Sequence, residues 1–214
     1  MNRIDKVFYI NLESRTDRRA EIEEELKTKF KYEGAERFVG ITAAACGLQG
    51  KLSGAYGCAM SHINLFRKMI LNNWDTIMVL EDDAKLITSR EEMDEYIEAF
   101  LNDEQSDILC IGNSCGNNKD YNEVFNRCFN TQTTSCYVLK KKFVKTLLDC
   151  YFTDPSEAMT LKEDCGNIKE RIDIIDTAWF PLQQRHFFMM PKVRQVIQRE
   201  SYSDIANEVV FYNL

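Results

Sequence analysis

The run Thr76–Leu86, TIMVLEDDAKL, passes from four consecutive hydrocarbon side chains, Ile77, Met78, Val79 and Leu80, directly into three carboxylates, Glu81, Asp82 and Asp83. A short segment that is apolar at every position has no polar side to give to water, so it predicts a central strand covered on both faces. Acidic residues at a strand end serve as turn formers. They also serve as ligands. If the extended geometry persists, side chains alternate, Glu81 and Asp83 point one way and Asp82 the other, and two carboxylates converge on one point. Hard divalent cations take one or two carboxylates together with phosphate oxygens and water. In an open α/β sheet, ligands bind at the carboxyl ends of the strands, where this cluster lies.

Working outward from that strand, helical and extended patterns alternate. VFYINL (7–12) predicts a strand. The following RTDRRAEIEEELKTKF predicts a helix with Ile22, Leu26 and Phe30 inward, capped by Ser14 or Thr16 and ended by Gly34. FVGI (38–41) predicts a second strand, and 54–72 a helix with Cys58, His62, Phe66 and Ile70 on one stripe. Thr88 with Glu91, and Ser89 with Glu92, both have capping-box spacing for a helix reaching about Asn102. DILCI (107–111) and SCYVL (135–139) predict further strands, and 140–151 a helix with Phe143, Leu147 and Leu148 inward. The polar run 112–134 predicts a long surface loop. Residues 156–188 predict two helical pieces, the second interrupted by Pro181, and 193–197 a last strand. With no repeat and no linker, 214 residues predict one α/β domain built on an open sheet with helices on both faces.

A net charge of −7 excludes broad nucleic-acid or anionic-membrane binding, which needs a basic surface. The N-terminal MNRIDKVFYINL has no signal-peptide core, and no apolar run is long enough to span a bilayer, so the chain as given is expected in the cytosol. Its eight cysteines form no CxxC pair and are read as thiols filling the core, with Cys110–Cys115 the one alternative bridge. A local basic group remains: Arg15, Arg18 and Arg19 follow the first strand at the opening of a helix, a placement that suits a diphosphate. The same arginines also suit a solvated face paired with Glu21–Glu25.

INLESRTDRR, then GAYGCAMSHINLF, IMVLEDD, DILCIG, and finally a glutamine (Gln195 or Gln198) with Ser203-Asp204-Ile205 resemble, in order and spacing, glycosyltransferase family 25. That family includes lipopolysaccharide and procollagen galactosyltransferases, and short members encoded by large DNA viruses. The resemblance implies a GT-A-like fold with a mixed, mainly parallel sheet. It also implies a UDP-sugar donor, usually UDP-galactose, a glycan or glycoprotein acceptor, manganese with magnesium as substitute, and inversion at the sugar carbon. Carried over by position, it implies Asp83 as the direct metal ligand, Glu81 toward the metal or the ribose, and Asp82 toward donor hydroxyls. Ile10, Asn11, Leu12, Arg15 and Arg18 would form the nucleotide edge, with Thr42, Ala43 and Ala44 near the base. Ser61 and His62, with Gly57 and Cys58, would shape the donor pocket. Asp176 in DIIDTAWF is the implied general base, with Asp173, Asp164 and Glu163 as competing acids.

Cys58 and His62 are also spaced as half a zinc site, with no second half apparent in the sequence. The chain departs from the family in reading Ala55-Tyr56-Gly57-Cys58 where an acid often precedes the Gly-Cys pair. A metal-dependent phosphohydrolase would use a similar acidic strand end, and an inactive nucleotide-sugar-binding module would keep the same pocket.

Overall fold

The computed structural model describes residues 3–42, 45, 53–114, 116–152, 175, 177–203 and 208–210. The first half comprises β1 (Lys6–Asn11), α1 (Thr16–Glu25), which continues as a π-helical turn over Leu26–Phe30, β2 (Glu36–Val39), α2 (Ser53–Leu71), β3 (Thr76–Glu81), β4 (Ala84–Leu86) and α3 (Arg90–Asn102). The second half comprises β5 (Ile108–Ser114), β6 (Asn117–Asp120), β7 (Phe125–Phe129), β8 (Gln132–Lys140) and α4 (Lys141–Tyr151). After a 3₁₀ turn over Thr177–Trp179 come α5 (Phe180–Gln183), β9 (Phe188–Pro191), β10 (Val196–Gln198), β11 (Ser201–Ser203) and β12 (Glu208–Val210).

Among the described residues, eight strands form one sheet in the order β2-β1-β3-β8-β5-β9-β7-β6. β2 and β3 run parallel to β1, β8 opposes β3, and β5 opposes β8. β9 is parallel to β5, β7 opposes β9, and β6 opposes β7. Only β8 and β7 therefore run against the other six strands, so the sheet is mixed and mainly parallel in direction.

The hydrocarbon run Ile77–Leu80 lies in the third strand of this order and is buried along its length. Ile77 and Val79 join the core formed with α2 and α4, and Met78 and Leu80 the core formed with α1 and α3. Each large apolar side chain so buried stabilises the fold by about 1.5–3 kcal/mol. Helices cover both faces, as a strand without a polar side requires.

Of the two possible caps for α3, the fold uses Ser89, whose side chain accepts a hydrogen bond from the Glu92 amide at 3.0 Å. Ser89→Ala is expected to cost about 1 kcal/mol and lower the melting temperature by about 2–4 °C in a thermal scan.

Several expectations need correction. Neither Ser14 nor Thr16 caps α1: Arg15 holds that position and makes no side-chain cap bond. The helix stops at Lys31, in the left-handed region at φ 52°, rather than at Gly34. The polar run after β5 contains the β6–β7 hairpin, an integral edge of the sheet, because Phe125 and Cys128 are buried between polar neighbours. Pro181 lies in the first turn of α5, where the lack of an amide hydrogen costs nothing, so it begins a helix rather than interrupting one. The rest of the helices expected over 156–188 falls largely outside the described residues.

Cys58, Cys110, Cys128, Cys136 and Cys150 form no disulfide. Cys115 is outside the described residues, and with it the alternative bridge. No helix among the described residues is long and apolar enough to cross a membrane.

Gly112 brings the C-terminal region to the carboxyl ends of the strands. The β5–β8 register slips at this residue, and a Cβ atom would meet Ser135 Oγ and Val196 Cγ1 at 2.9 Å. The absent side chain lets β10 lie close to the sheet, where it pairs antiparallel with β4 and sets Gln198 opposite Ala84.

Candidate active site

The carboxyl ends of β1 and β3 are neighbours, with Ile10 opposite Glu81 in parallel register. Leaving β1, the chain turns through Leu12, whose carbonyl accepts the Arg15 amide, and enters α1. This short turn aims Arg18 back over the end of β3. Its guanidinium lies 2.7 Å from Asp82 Oδ1 and 3.5 Å from Asp83 Oδ2. Asn11, also buried, donates to Asp82 Oδ2 at 2.8 Å and to the Arg15 carbonyl, while its own oxygen accepts two bonds from Arg37. Asp82 and Asp83 are only 7% and 6% exposed, so this network is withdrawn from bulk water.

The alternation expected through the acidic run stops with the strand. β3 ends at Glu81 and a turn takes over at Asp82, so Asp82 and Asp83 share Arg18. Glu81 keeps the strand geometry and points to the α2 side. There its Oε1 accepts from Thr134 Oγ1 and lies 3.4 Å from His62 Nε2. Asp83 meets the C-terminal region instead: Gln198 Nε2 donates to its Oδ2 at 3.4 Å, and the Arg199 amide donates to its backbone carbonyl at 2.7 Å.

The three acids have different electrostatics. Burial, reinforced by the charges of Glu81 and Asp82 and opposed by Arg18, pushes the Asp83 carboxyl up to about 8. Burial also raises Asp82, against the pull of Arg18 and Asn11. Burial acts upward on Glu81 too, but His62, Thr134 and Arg18 outweigh it and hold that carboxyl below its ordinary range. Asp83 Oδ1 and Gln198 Oε1 are both buried and accept no hydrogen bond. Two donorless oxygens, one of them on a carboxylate beside two further acids, are what an oxygen-seeking divalent cation requires.

The other expected residues take distinct places. Arg15 forms a fork with Asp17 at 3.0 and 2.8 Å. Ser61 Oγ accepts the Ile41 amide and donates to the Gly57 carbonyl, fastening α2 to the segment after β2. Thr42 Oγ1 accepts the Ala45 amide at 3.3 Å. Ile10 packs partly buried against the core. Ala43, Ala44, Asp176 and the competing acids Asp173, Asp164 and Glu163 lie outside the described residues.

Of the two candidate glutamines, Gln195 is fully buried and bonds to Thr88 and the Val193 carbonyl, so Gln198 is the one at the site. Sequence reading missed Arg37, Thr134 and Tyr137, whose hydroxyl lies 2.8 Å from His62 Nδ1. Arg37 had one signal, a cation inside a short strand beside the arginine-rich turn. Thr134 and Tyr137 had none, because the antiparallel pairing of β8 with β3 is not written in either segment.

Comparison with known proteins adds a family. The model of glycosyltransferase family 25 (LPS biosynthesis protein) matches residues 48–161, more than half of the chain. No curated protein matches. Among solved structures, A197 from STIV aligns over 89% of this chain and 82% of its own, with 14% identity and a TM-score of 0.43. Mannose-1-phosphate geranyltransferase from Thermus thermophilus aligns over 89% and 74%, with 6% identity and a TM-score of 0.47. A glycosyltransferase involved in glycosylation of the major capsid of PBCV-1 aligns over 87% and 92%, with 9% identity and a TM-score of 0.40.

Proposed function

The chain belongs to glycosyltransferase family 25, and on that premise we propose that its 214 residues act as one GT-A-like domain transferring a hexose, galactose in the first instance, from a UDP-sugar to a hydroxyl of a glycan or glycoprotein acceptor. The transfer is metal-dependent and inverts the sugar carbon. The observation that carries this reading is the acidic turn after β3: three carboxylates at the carboxyl ends of parallel strands, with Arg18 between two of them and two buried oxygens that accept nothing.

The oxygens of this turn suit manganese, or magnesium in its place, with Asp83 and its open Oδ1 as the central protein ligand and Glu81, which faces His62 and Thr134 in this structure, as the second acid proposed to reach it. When bound, the cation supplies positive charge against the diphosphate of the donor as UDP leaves. Around it, Asn11 fixes the Asp82 carboxylate so that its orientation toward the sugar hydroxyls is set before the donor arrives. Arg18 and the opening of α1 bring positive charge to the same edge, where phosphate oxygens are favoured. Ile10, Leu12 and Thr42 line the approach of the nucleotide. Asp176 takes the proton from the attacking acceptor hydroxyl, on the face of the sugar opposite the departing UDP.

The test is incubation with a panel of UDP-sugars and hydroxyl acceptors with and without manganese. Manganese-dependent UDP release coupled to sugar transfer is the expected result. Donor binding without turnover on any acceptor would instead identify an inactive binding module, and phosphate release from simple esters a phosphohydrolase.

A further inference from the structure

On the α2 side of Glu81 lies a second set of ligand atoms with a different chemistry. Cys58 and His62 are one helical turn apart on α2, so their side chains share a face. Glu81 ends β3 directly against that face. The sulfur of Cys58, a ring nitrogen of His62 and a carboxylate oxygen of Glu81 all lie within 4.8 Å of one another. We propose that Cys58, His62 and Glu81 form a zinc-class metal site, set apart from the acidic turn beside it by its sulfur and nitrogen ligands.

Three observations carry this. First, the His62 ring is fully buried, and its Nε2 makes no well-formed hydrogen bond, having only Glu81 Oε1 at 3.4 Å. A buried ring nitrogen held this loosely is costly, and a metal ion between the two groups relieves it. Second, that nitrogen stands 3.4 Å from Glu81 Oε1. Nitrogen and oxygen ligands each about 2.0–2.2 Å from a tetrahedral zinc lie about 3.3–3.5 Å apart, so the pair already has the spacing of two ligands. Third, the other ring nitrogen, Nδ1, is 2.8 Å from the Tyr137 hydroxyl. With Nδ1–H donating to that oxygen, the ring is oriented and the Nε2 lone pair is left for a metal, the usual outer support of a ligating histidine.

Thiolate, imidazole and carboxylate together select a borderline metal such as zinc over manganese or magnesium. Three protein ligands leave a fourth position, and Glu81, whose side chain is 21% exposed, lies on the route from solvent. The site does not depend on glycosyl transfer, but it shares Glu81 with the proposed donor metal. Zinc held here withdraws Glu81 from the acidic turn, so zinc is expected to weaken manganese-dependent UDP binding.

The test uses cobalt as a spectroscopic stand-in. Chelator-treated protein given equimolar Co²⁺ is expected to show a thiolate-to-cobalt charge-transfer band and the intense visible bands of four-coordinate cobalt, both removed by added Zn²⁺. Cys58→Ser, checked for an unchanged circular-dichroism spectrum, is expected to lose the charge-transfer band. Asp83→Asn is expected to keep it while losing manganese-dependent UDP binding, which separates this inference from the proposed function. A cobalt spectrum indifferent to Cys58→Ser, or no cobalt retained at equimolar concentration, overturns the assignment.

Discussion

Asp83→Asn, with chelator present at pH 8, is expected to melt higher than the unsubstituted chain, by about 4–8 °C or on the order of 2 kcal/mol, and yet to lose manganese-dependent UDP binding by about 100-fold or more. Both effects follow from one cause. The Asp83 carboxyl is raised to about 8 because burial and the neighbouring acids disfavour its charge. A carboxyl raised on folding costs nothing below about pH 4, where it is neutral in both states. The cost grows as pH rises from there to about 8 and is constant above. The metal-free chain therefore loses stability across that window, and an uncharged amide of the same shape removes this part of the loss. A carboxylate serving structure would behave in the opposite way, so a lower melting temperature for Asp83→Asn would remove Asp83 from the proposed metal site.

Asp176→Asn is expected to leave donor and manganese binding intact while transfer falls by about 10²–10⁴-fold, the range that a positioned base contributes. Of its sequence neighbours, Ile175 and Trp179 are buried, and the Ile175 carbonyl accepts the Tyr151 hydroxyl at 3.2 Å. Binding is measured by titration of UDP with manganese present, and transfer by product formation under saturating donor. Retained transfer in Asp176→Asn, with loss in a variant of Asp173, Asp164 or Glu163, would move the base to that acid.

What the sequence disclosed follows its physics. A strand apolar at every position can be stable only when covered on both faces, so β3 and the layered α/β class were readable from Ile77–Leu80. Ser89 and Glu92 announced the start of α3 because a capping box is a local interaction. Failures came where pairing is distant. The hairpin after β5 looked like a loop because Asn and Gly outnumber its two buried residues, Phe125 and Cys128. The expected convergence of Glu81 and Asp83 assumed that extended geometry would continue, whereas the turn at Asp82 redirects the acids and Arg18 gathers two of them. Gln198 could not be separated from Gln195 by spacing alone; the close approach of β10 over Gly112 decides between them.

The position of β8 has a consequence for how the polypeptide is assembled. This strand lies between β3 and β5, opposing both. A nascent chain emerging from the ribosome has therefore completed both of those strands before the segment that joins them exists. Until it arrives, two hydrocarbon-rich ribbons stand with open backbone edges, a state prone to pair with other molecules. Closure then brings together residues far apart along the chain, Met78 with Val138 among them, and such long-range joining makes slow folding and a reliance on chaperones the natural expectation for this chain.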